Sequence, residues 1–201
     1  ARDNPDYVPN DVNLNGSRLT LITGPNSGGK TTYCKSVAQN QILGQVGSRV
    51  LASSAKLNIT DRIAYQAPMF DALQDDEGRF GTELKRTRDI FYATSPKSLV
   101  ILDELSEGTT AEEKMEQSRV ILDGFYTIGN NTMLVTHNHD LVDAYREKGR
   151  GQYLQAEFNG HTPTHRMKDG ISRVSHANKV AEKIGFAKKD IETHLKDKGY
   201  I

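Results

Sequence analysis

The sequence has little that marks a secreted or membrane-bound protein. It holds one cysteine in 201 residues, which excludes an internal disulfide and fits a reducing compartment. No apolar run is long enough to span a bilayer, and no basic segment followed by an apolar one marks a secretory start. We therefore expect a cytoplasmic protein without a membrane partner.

The chain also lacks a net charge, because 26 basic residues balance 26 acidic ones. Its overall electrostatics therefore give no reason to expect a nucleic acid, a membrane surface or an acidic partner, and only local patches could serve such a role. No repeat, low-complexity tract or linker interrupts it, so we expect one domain over residues 1–201. The first residue is not methionine, and we expect a module of a longer protein.

Short apolar runs alternate with helical patterns along most of the chain. Such alternation predicts an α/β fold, with a mostly parallel sheet between two layers of helices. The predicted buried strands are residues 18–23, 98–103 and 131–136, and the predicted helices are 30–46, 80–94, 110–126, 139–148, 175–186 and 188–198.

Two further regions have weaker patterns. Residues 152–158 and 161–167 flank Asn159-Gly160, a strong hairpin signal, so an antiparallel pair is expected there. Residues 49–52 and 57–66 could be extended, and the polar stretch 74–78 is expected to be a loop.

The most informative stretch is the loop that follows the first predicted strand. It reads Gly-Pro-Asn-Ser-Gly-Gly-Lys-Thr from residue 24 to residue 31, a complete G-x-x-x-x-G-K-T motif between a strand and a helix. Glycines let the backbone bring its N–H groups close to phosphate oxygens, and the start of the helix adds a positive end. The predicted phosphate-binding residues are Gly24, Pro25, Asn26, Ser27, Gly28, Gly29, Lys30, Thr31 and Thr32.

The side chains of this loop have separate expected roles. Lys30 is expected to reach the β- and γ-phosphates and to stabilise charge during phosphoryl transfer, and the Thr31 hydroxyl is expected to ligate Mg²⁺. The alternative is a chance glycine turn between a strand and a helix. The strand–loop–helix context favours the phosphate loop.

An acid pair ends the second buried strand, at Asp103 and Glu104. In phosphate-loop enzymes an acid at the end of a buried strand beside the loop holds Mg²⁺, usually through water. Asp103 suits that role, and Glu104 suits the role of the base that accepts a proton from the attacking water. The alternative is an acid pair that caps the next helix.

The third buried strand is followed by His137. If its strand neighbours the loop strand, this histidine would lie near the γ-phosphate and could contact it by a hydrogen bond. The alternative is a solvated histidine at the start of a helix, because the residues after it are suited to helix N-caps.

These elements in this order resemble the ATPase domain of the MutS family of DNA mismatch-repair proteins, a branch of the ABC-type ATPases. The likeness covers nearly the whole chain, and the Pro-Asn and Gly-Gly pairs of the loop are more specific than the general motif. The segments that carry it are residues 7–11, 24–33, 60–63, 103–110, 135–141 and 175–185.

The resemblance implies an ATP–Mg²⁺ site that two ATPase domains complete together. One subunit supplies the phosphate loop, the acids and the histidine, and the other supplies a signature loop that touches the γ-phosphate. It further implies a second MutS-like ATPase domain as partner, with an identical chain expected, and double-stranded DNA bound through other domains. An aromatic residue in the lead-in stacks on adenine in such proteins, which makes Tyr7 a candidate.

The sequence also departs from the family pattern. The family's signature loop carries a Ser-Thr-Phe-x-x-Glu-like stretch, but residues 78–83 begin with Gly78 where the serine would stand. Ser106 and Glu107 replace a common Gly-Arg pair in the next loop. The departures leave two hypotheses: a Mg²⁺-dependent ATPase, or a nucleotide-gated dimerisation and DNA-clamp module with negligible hydrolysis. A chromosome-maintenance head is a third reading, without a Leu-Ser-Gly-Gly-Gln-like signature to support it.

Overall fold

The computed structural model describes residues 7–14, 16–68, 78–105, 110–174, 182 and 184–200. Strands and helices alternate along most of this length, as the sequence predicts. The strands are β1 Leu19–Thr23, β2 Ile63–Gln66, β3 Leu99–Asp103, β4 Asn131–Val135, β5 Gln152–Asn159 and β6 Thr162–Asp169. The helices are α1 Lys30–Gln45, α2 Gly78–Tyr92, α3 Ala111–Ile128, α4 His139–Glu147 and α5 Lys188–Asp197.

All six strands form one sheet in the order β2-β3-β4-β1-β5-β6. The first five are parallel to their neighbours, and only β6 runs antiparallel, against β5. The expected mostly parallel sheet with an antiparallel hairpin is therefore confirmed. The carboxyl ends of β1, β3 and β4 all meet at one edge, where open α/β sheets bind their ligands.

Helices cover both faces of the sheet, which confirms the three-layer arrangement. On one face, α1 packs Tyr33, Cys34 and Val37 against the apolar side chains of β1, β3 and β4. On the other face, α3 and α4 pack against the alternate strand residues, with Phe125 and Tyr145 fully buried. Burying an aromatic or branched side chain contributes about 1.5–3 kcal/mol, so these two layers account for much of the driving force for folding.

The segment between α1 and β2 differs from expectation. Of the two stretches that could be extended, only Ile63–Gln66 forms a strand. The preceding residues run along α1 instead, where Gln41 Nε2 donates to the carbonyl of Asn58 at 2.7 Å and Thr60 N donates to Gln45 Oε1 at 2.8 Å. Side-chain amides of α1 thus take the backbone groups that a strand neighbour would otherwise pair.

The hairpin turn lies one residue later than the Asn-Gly signal suggests. Asn159 is the last residue of β5 and pairs with Thr162, so the two-residue turn is Gly160-His161. Gly160 adopts φ +60, a left-handed conformation that glycine permits without a Cβ clash. The strands are correspondingly longer than predicted.

Several predicted elements lie outside the described residues or near their edges. Residues 74–77, and most of the helix expected over 175–186, are not described. The closing helix α5 is present close to its predicted bounds and buries none of its residues. Among the described residues, no helix combines the length and the apolar character needed to cross a membrane.

Candidate functional site

The loop from residue 24 to residue 29 leaves β1 and turns sharply into α1. Three of its residues have positive φ, namely Gly24 at +131°, Ser27 at +69° and Gly29 at +91°. Helix α1 begins at Lys30, so the loop amides and the helix N-terminus face the same space. A cavity of about 250 Å³ lies there, lined by Asn26, Ser27, Gly28, Gly29, Lys30, Thr31, Thr32 and His165.

Strand β5 packs directly against this loop. A Cβ placed on Gly28 would lie 2.6 Å from the Cβ of Ala156, and one on Gly24 would lie 3.0 Å from the same atom. No Cβ pair approaches to 2.6 Å in a folded protein without a shift of one partner. The glycines therefore serve a close approach between backbones as well as a tight turn.

Lys30 is a buried cation at the base of the cavity, with 6% of its surface exposed. Its Nζ donates to the carbonyl of Gly24 at 2.7 Å and to that of Pro25 at 3.0 Å. Desolvation lowers the pKa of Lys30 below its usual value of 10.5, and the negative charges of Glu104 and Asp103 act against that decrease. The phosphate loop and the acid pair are therefore close enough to interact electrostatically.

The acid pair lies at the carboxyl end of β3. Asp103 is 3% exposed, and its Oδ2 accepts a hydrogen bond from the Tyr65 hydroxyl at 3.1 Å. Glu104 follows with φ +69, an uncommon conformation for a residue with a Cβ, and its N–H donates to the carbonyl of Val135 at 3.0 Å. This bond extends the pairing of β3 and β4 by one residue and places Glu104 beside the segment after β4.

His137 connects the acids with the phosphate loop. Its Nε2 lies 3.0 Å from Oδ1 of Asn26 and 3.3 Å from Oε1 of Glu104. The side chain of Asn138, the next residue, caps α4 by accepting from Leu141 N at 3.0 Å. The segment therefore both starts a helix and bridges the site: Asn138 caps α4, and His137 lies between Asn26 and Glu104.

The strand order adds a detail that the sequence did not reveal. Strand β4 lies between β1 and β3, so the acids come from the second strand away from the loop strand and not from its neighbour. His137 follows β4, the strand that does neighbour β1, and it lies between the phosphate loop and Glu104. Sequence order alone does not specify which parallel strands are adjacent.

His165 is a residue at the cavity that the sequence interpretation missed. It lies in β6 with φ +58 and lines the cavity, and a Cβ on Gly29 would lie 3.5 Å from its Nδ1. The side chain of Asn10 holds this strand, because Asn10 Nδ2 donates to the carbonyl of His165 at 2.9 Å and Met167 N donates to Asn10 Oδ1 at 2.6 Å. No sequence motif surrounds His165, and only the pairing of β5 with β1 brings the hairpin to the loop.

The lead-in segment is joined to the same region. Besides the Asn10 bonds, the carbonyl of Asp11 accepts from the hydroxyl of Tyr33 on α1 at 3.2 Å. Tyr7, three residues before Asn10, is 44% exposed. The predicted adenine contact of Tyr7 stays a prediction.

The expected signature stretch forms the first turns of a helix. Gly78 opens α2 with φ +67, and Glu83 is buried one turn later. Ser106 and Glu107, the other departure from the family pattern, lie outside the described residues.

A larger cavity of about 500 Å³ lies between α3 and α4. It is lined by Glu112, Met115, Glu116, Arg119 and Asp140. Three carboxylates against one guanidinium would repel phosphate groups. The smaller cavity at the phosphate loop therefore fits a nucleotide better.

The residues present fit a nucleotide and its metal ion. The loop offers a glycine-lined hollow with a buried ammonium group, which suits a polyphosphate. Thr31 lines the hollow and Asp103 supplies a buried carboxylate at the same edge, both of them oxygen donors of the kind that Mg²⁺ prefers.

Comparison with known proteins identifies the family. The family model described as MutS domain V matches residues 20–197. The chain belongs to the MutS family. This match includes the phosphate loop, the acid pair and His137, so these residues lie within the family's domain V.

Curated MutS relatives extend the likeness over most of the chain. The DNA mismatch repair protein msh3 of Aspergillus terreus is 35% identical over 193 residues, covering 87% of this chain and 17% of its own length. The DNA mismatch repair protein MutS of Shouchella clausii is 35% identical over 188 residues, covering 90% of this chain and 22% of its own length. The msh3 protein of Emericella nidulans is 42% identical over 138 residues. The matched part of this MutS domain thus spans between 12% and 22% of the length of these relatives.

Proposed function

We propose that this MutS domain binds ATP with Mg²⁺ and hydrolyses it to ADP and phosphate, as part of a protein that acts in DNA mismatch repair. The observation that carries the proposal is the position of His137, whose Nε2 is within 3.3 Å of both a phosphate-loop side chain and Glu104. Through it, a phosphate-binding loop and a carboxylate pair converge at one sheet edge, which is the arrangement that phosphoryl-transfer chemistry requires.

The phosphate loop supplies binding and charge stabilisation. Lys30 is buried, its ammonium group donates to two loop carbonyls, and desolvation penalises its charge. A polyphosphate in the adjoining cavity would supply the opposite charge that this group needs. The same ammonium group and the loop N–H groups would stabilise negative charge as it develops on the γ-phosphate oxygens.

The two acids would have separate roles, in binding Mg²⁺ and in accepting a proton. Asp103 and the Thr31 hydroxyl would hold Mg²⁺, which when bound neutralises charge on the phosphate oxygens. Glu104 would accept a proton from the water that attacks the γ-phosphorus, while the bond from that phosphorus to the ADP oxygen breaks. His137 would donate its Nε2–H to the γ-phosphate when ATP is bound and to Glu104 when it is not, so it is suited to sense the γ-phosphate.

The base and ribose would lie towards the hairpin and the lead-in segment. His165 flanks Gly29 at the cavity, and Asn10 joins its strand to the lead-in that carries Tyr7. We propose His165 and Tyr7 as contacts to the nucleoside, because both are flat rings on segments that meet at this end of the cavity.

The wider role follows from the relatives. Proteins named for DNA mismatch repair share most of this chain, and we propose that the longer protein pairs two such domains and couples their nucleotide state to double-stranded DNA. The second domain is expected to complete the site, with an identical chain as the simplest partner.

The test is to measure ATP binding and phosphate release by the 201-residue chain over a range of protein concentrations. Lys30→Ala should weaken ATP binding at least tenfold, whereas Lys35→Ala, an exposed residue on the same helix, should not. Specific activity that rises with protein concentration would support a composite site. Unchanged ATP affinity in Lys30→Ala would contradict the proposal.

A second candidate function is a nucleotide-gated clamp with negligible hydrolysis. Gly78 favours it, because the family's serine hydroxyl is missing at the position expected to meet the partner's nucleotide. A Cβ at Gly78 meets no atom within 4 Å, so Gly78→Ser has room for its side chain, although φ +67 makes the backbone less favourable. Tight ATP binding with a flat, near-zero rate in the parent, and a rate gained in Gly78→Ser, would support this candidate.

A further inference from the structure

Tyr65 lies beside the metal-binding end of β3 but belongs to neither the phosphate loop nor the acid pair. It is in β2, at the edge of the sheet, in register with Ile101 of β3. Side chains alternate between the faces of a strand, so Ile101 and Asp103 point to the same face, and Tyr65 shares it. That is the face on which α1 packs.

The Tyr65 hydroxyl reaches Asp103 along that face. It donates a hydrogen bond to Oδ2 of Asp103 at 3.1 Å, while the Asp103 side chain is almost wholly buried. The phenol is protonated at neutral pH, so it donates to the carboxylate and the carboxylate accepts. A buried carboxylate with a fixed donor cannot rotate freely about its Cβ–Cγ bond.

We propose that Tyr65 is a positioning residue for Mg²⁺: its hydroxyl orients the Asp103 carboxylate towards the metal at the nucleotide site. This inference rests on the proposed function. Partners that hydrogen-bond to a metal-ligating carboxylate fix its orientation, and removing one typically costs 10–100-fold in metal affinity. Tyr65 would act through Asp103 and would not itself touch the nucleotide or the metal.

The aromatic ring explains why the hydroxyl sits where it does. Tyr65 packs against the apolar cluster formed by α1 and strands β1, β3 and β4. Its ring is therefore held by apolar contacts, and only the oxygen at its end meets a polar partner. Tyr65→Phe removes that oxygen and keeps the packing, so its effect can be assigned to the lost hydroxyl group.

The experiment is calorimetric titration of the 201-residue chain with ADP, first in EDTA and then at increasing MgCl₂. In Tyr65→Phe we expect ADP affinity without Mg²⁺ to stay within about twofold of the parent, and the Mg²⁺ concentration for half of the metal-dependent gain in affinity to rise about tenfold. The matched control is Tyr153→Phe, whose hydroxyl donates to the Arg150 carbonyl at 2.7 Å, away from the phosphate loop. It should leave the Mg²⁺ dependence unchanged.

The outcomes separate the two claims. A parent with Mg²⁺-dependent ADP binding and a Tyr65→Phe variant with the same Mg²⁺ requirement would overturn the role of Tyr65 and leave the proposed function intact. A parent without any Mg²⁺ dependence would overturn both. In combination with Asp103→Asn, Tyr65→Phe should add no further shift, since the hydroxyl acts only through that carboxylate.

A second experiment uses only the parent protein, so its result does not depend on whether a variant folds. With Mn²⁺ in place of Mg²⁺ and ADP bound, the NMR signals of the Tyr65 ring should broaden strongly, and those of the Tyr153 ring should not. Equal broadening of both rings, or of neither, would overturn the proposal.

Discussion

Ala156 of β5 supports Gly28 of the phosphate loop so closely that a Cβ on the glycine would lie 2.6 Å from the Cβ of the alanine. This relationship joins the most conspicuous motif of the sequence to a strand that follows it by more than 120 residues. The loop conformation thus depends on the β1–β5 pairing as well as on its own glycines.

Gly28→Ala should therefore distort the loop and weaken ATP binding. We also expect a loss of about 1–3 kcal/mol in the free energy of unfolding, the usual cost of overpacking. Ala156→Gly added to Gly28→Ala should recover part of the loss, because it removes the atom that the new methyl group meets. Urea unfolding and ATP titration of both single variants and the double variant measure this, and strictly additive losses would contradict it.

Glu104→Gln should retain ATP binding and slow hydrolysis by about 10²–10⁴-fold, the usual contribution of general base catalysis. The amide keeps the shape of the carboxylate but does not accept the proton of the attacking water. Single-turnover phosphate release measures the effect. Glu116→Gln, on α3 at the other cavity, serves as the control and should hydrolyse at the parent rate.

Asn10→Ala should lower nucleotide affinity by releasing His165. The two bonds from the Asn10 side chain hold β6 on either side of Arg166, and each contributes about 1 kcal/mol to stability. Asn10→Ala and His165→Ala would both act on the contact between His165 and the nucleotide. Their effects on ADP affinity should therefore be non-additive. Asn58→Ala, in the segment along α1, is the control, and additive effects of Asn10 and His165 would be evidence against the coupling.

Asp61→Asn should make the protein easier to unfold at neutral pH, and the difference should vanish in acid. The carboxylate accepts hydrogen bonds from the Ser95 and Ser98 hydroxyls, which lower its pKa below 3.8. A carboxyl group with a lowered pKa in the folded state stabilises it above the unfolded-state value and loses that contribution as the pH falls through the folded-state value. Thermal melts of parent and variant should therefore converge as the pH falls from 7 through the folded-state pKa of Asp61, and a constant gap would refute the assignment.

Some of the candidate site could be predicted because its signals are local. The loop motif sits between a strand and a helix, and Asp103, Glu104 and His137 each follow a short buried strand, so parallel packing brings them to one edge. The helix over residues 110–126 is predicted from local spacing too, because its apolar residues recur at helical intervals. The structure has it at Ala111–Ile128, where Thr110 caps its start by accepting from Glu113 N and Gly129 ends it at φ +87. Their roles in ATP chemistry stay predictions until binding is measured.

Short-range patterns in the amino-acid sequence predict the alternation of strands and helices, the glycine-rich loop after β1 and the residues at three strand ends, because each depends on neighbours a few positions apart. The tertiary structure alone shows that β4 lies between β1 and β3, that β5 packs against the loop, that His165 lines the cavity, and that Tyr65 donates to Asp103. Those relationships join residues that are distant along the chain, and they arise from strand order and sheet-face alternation, which no local pattern encodes.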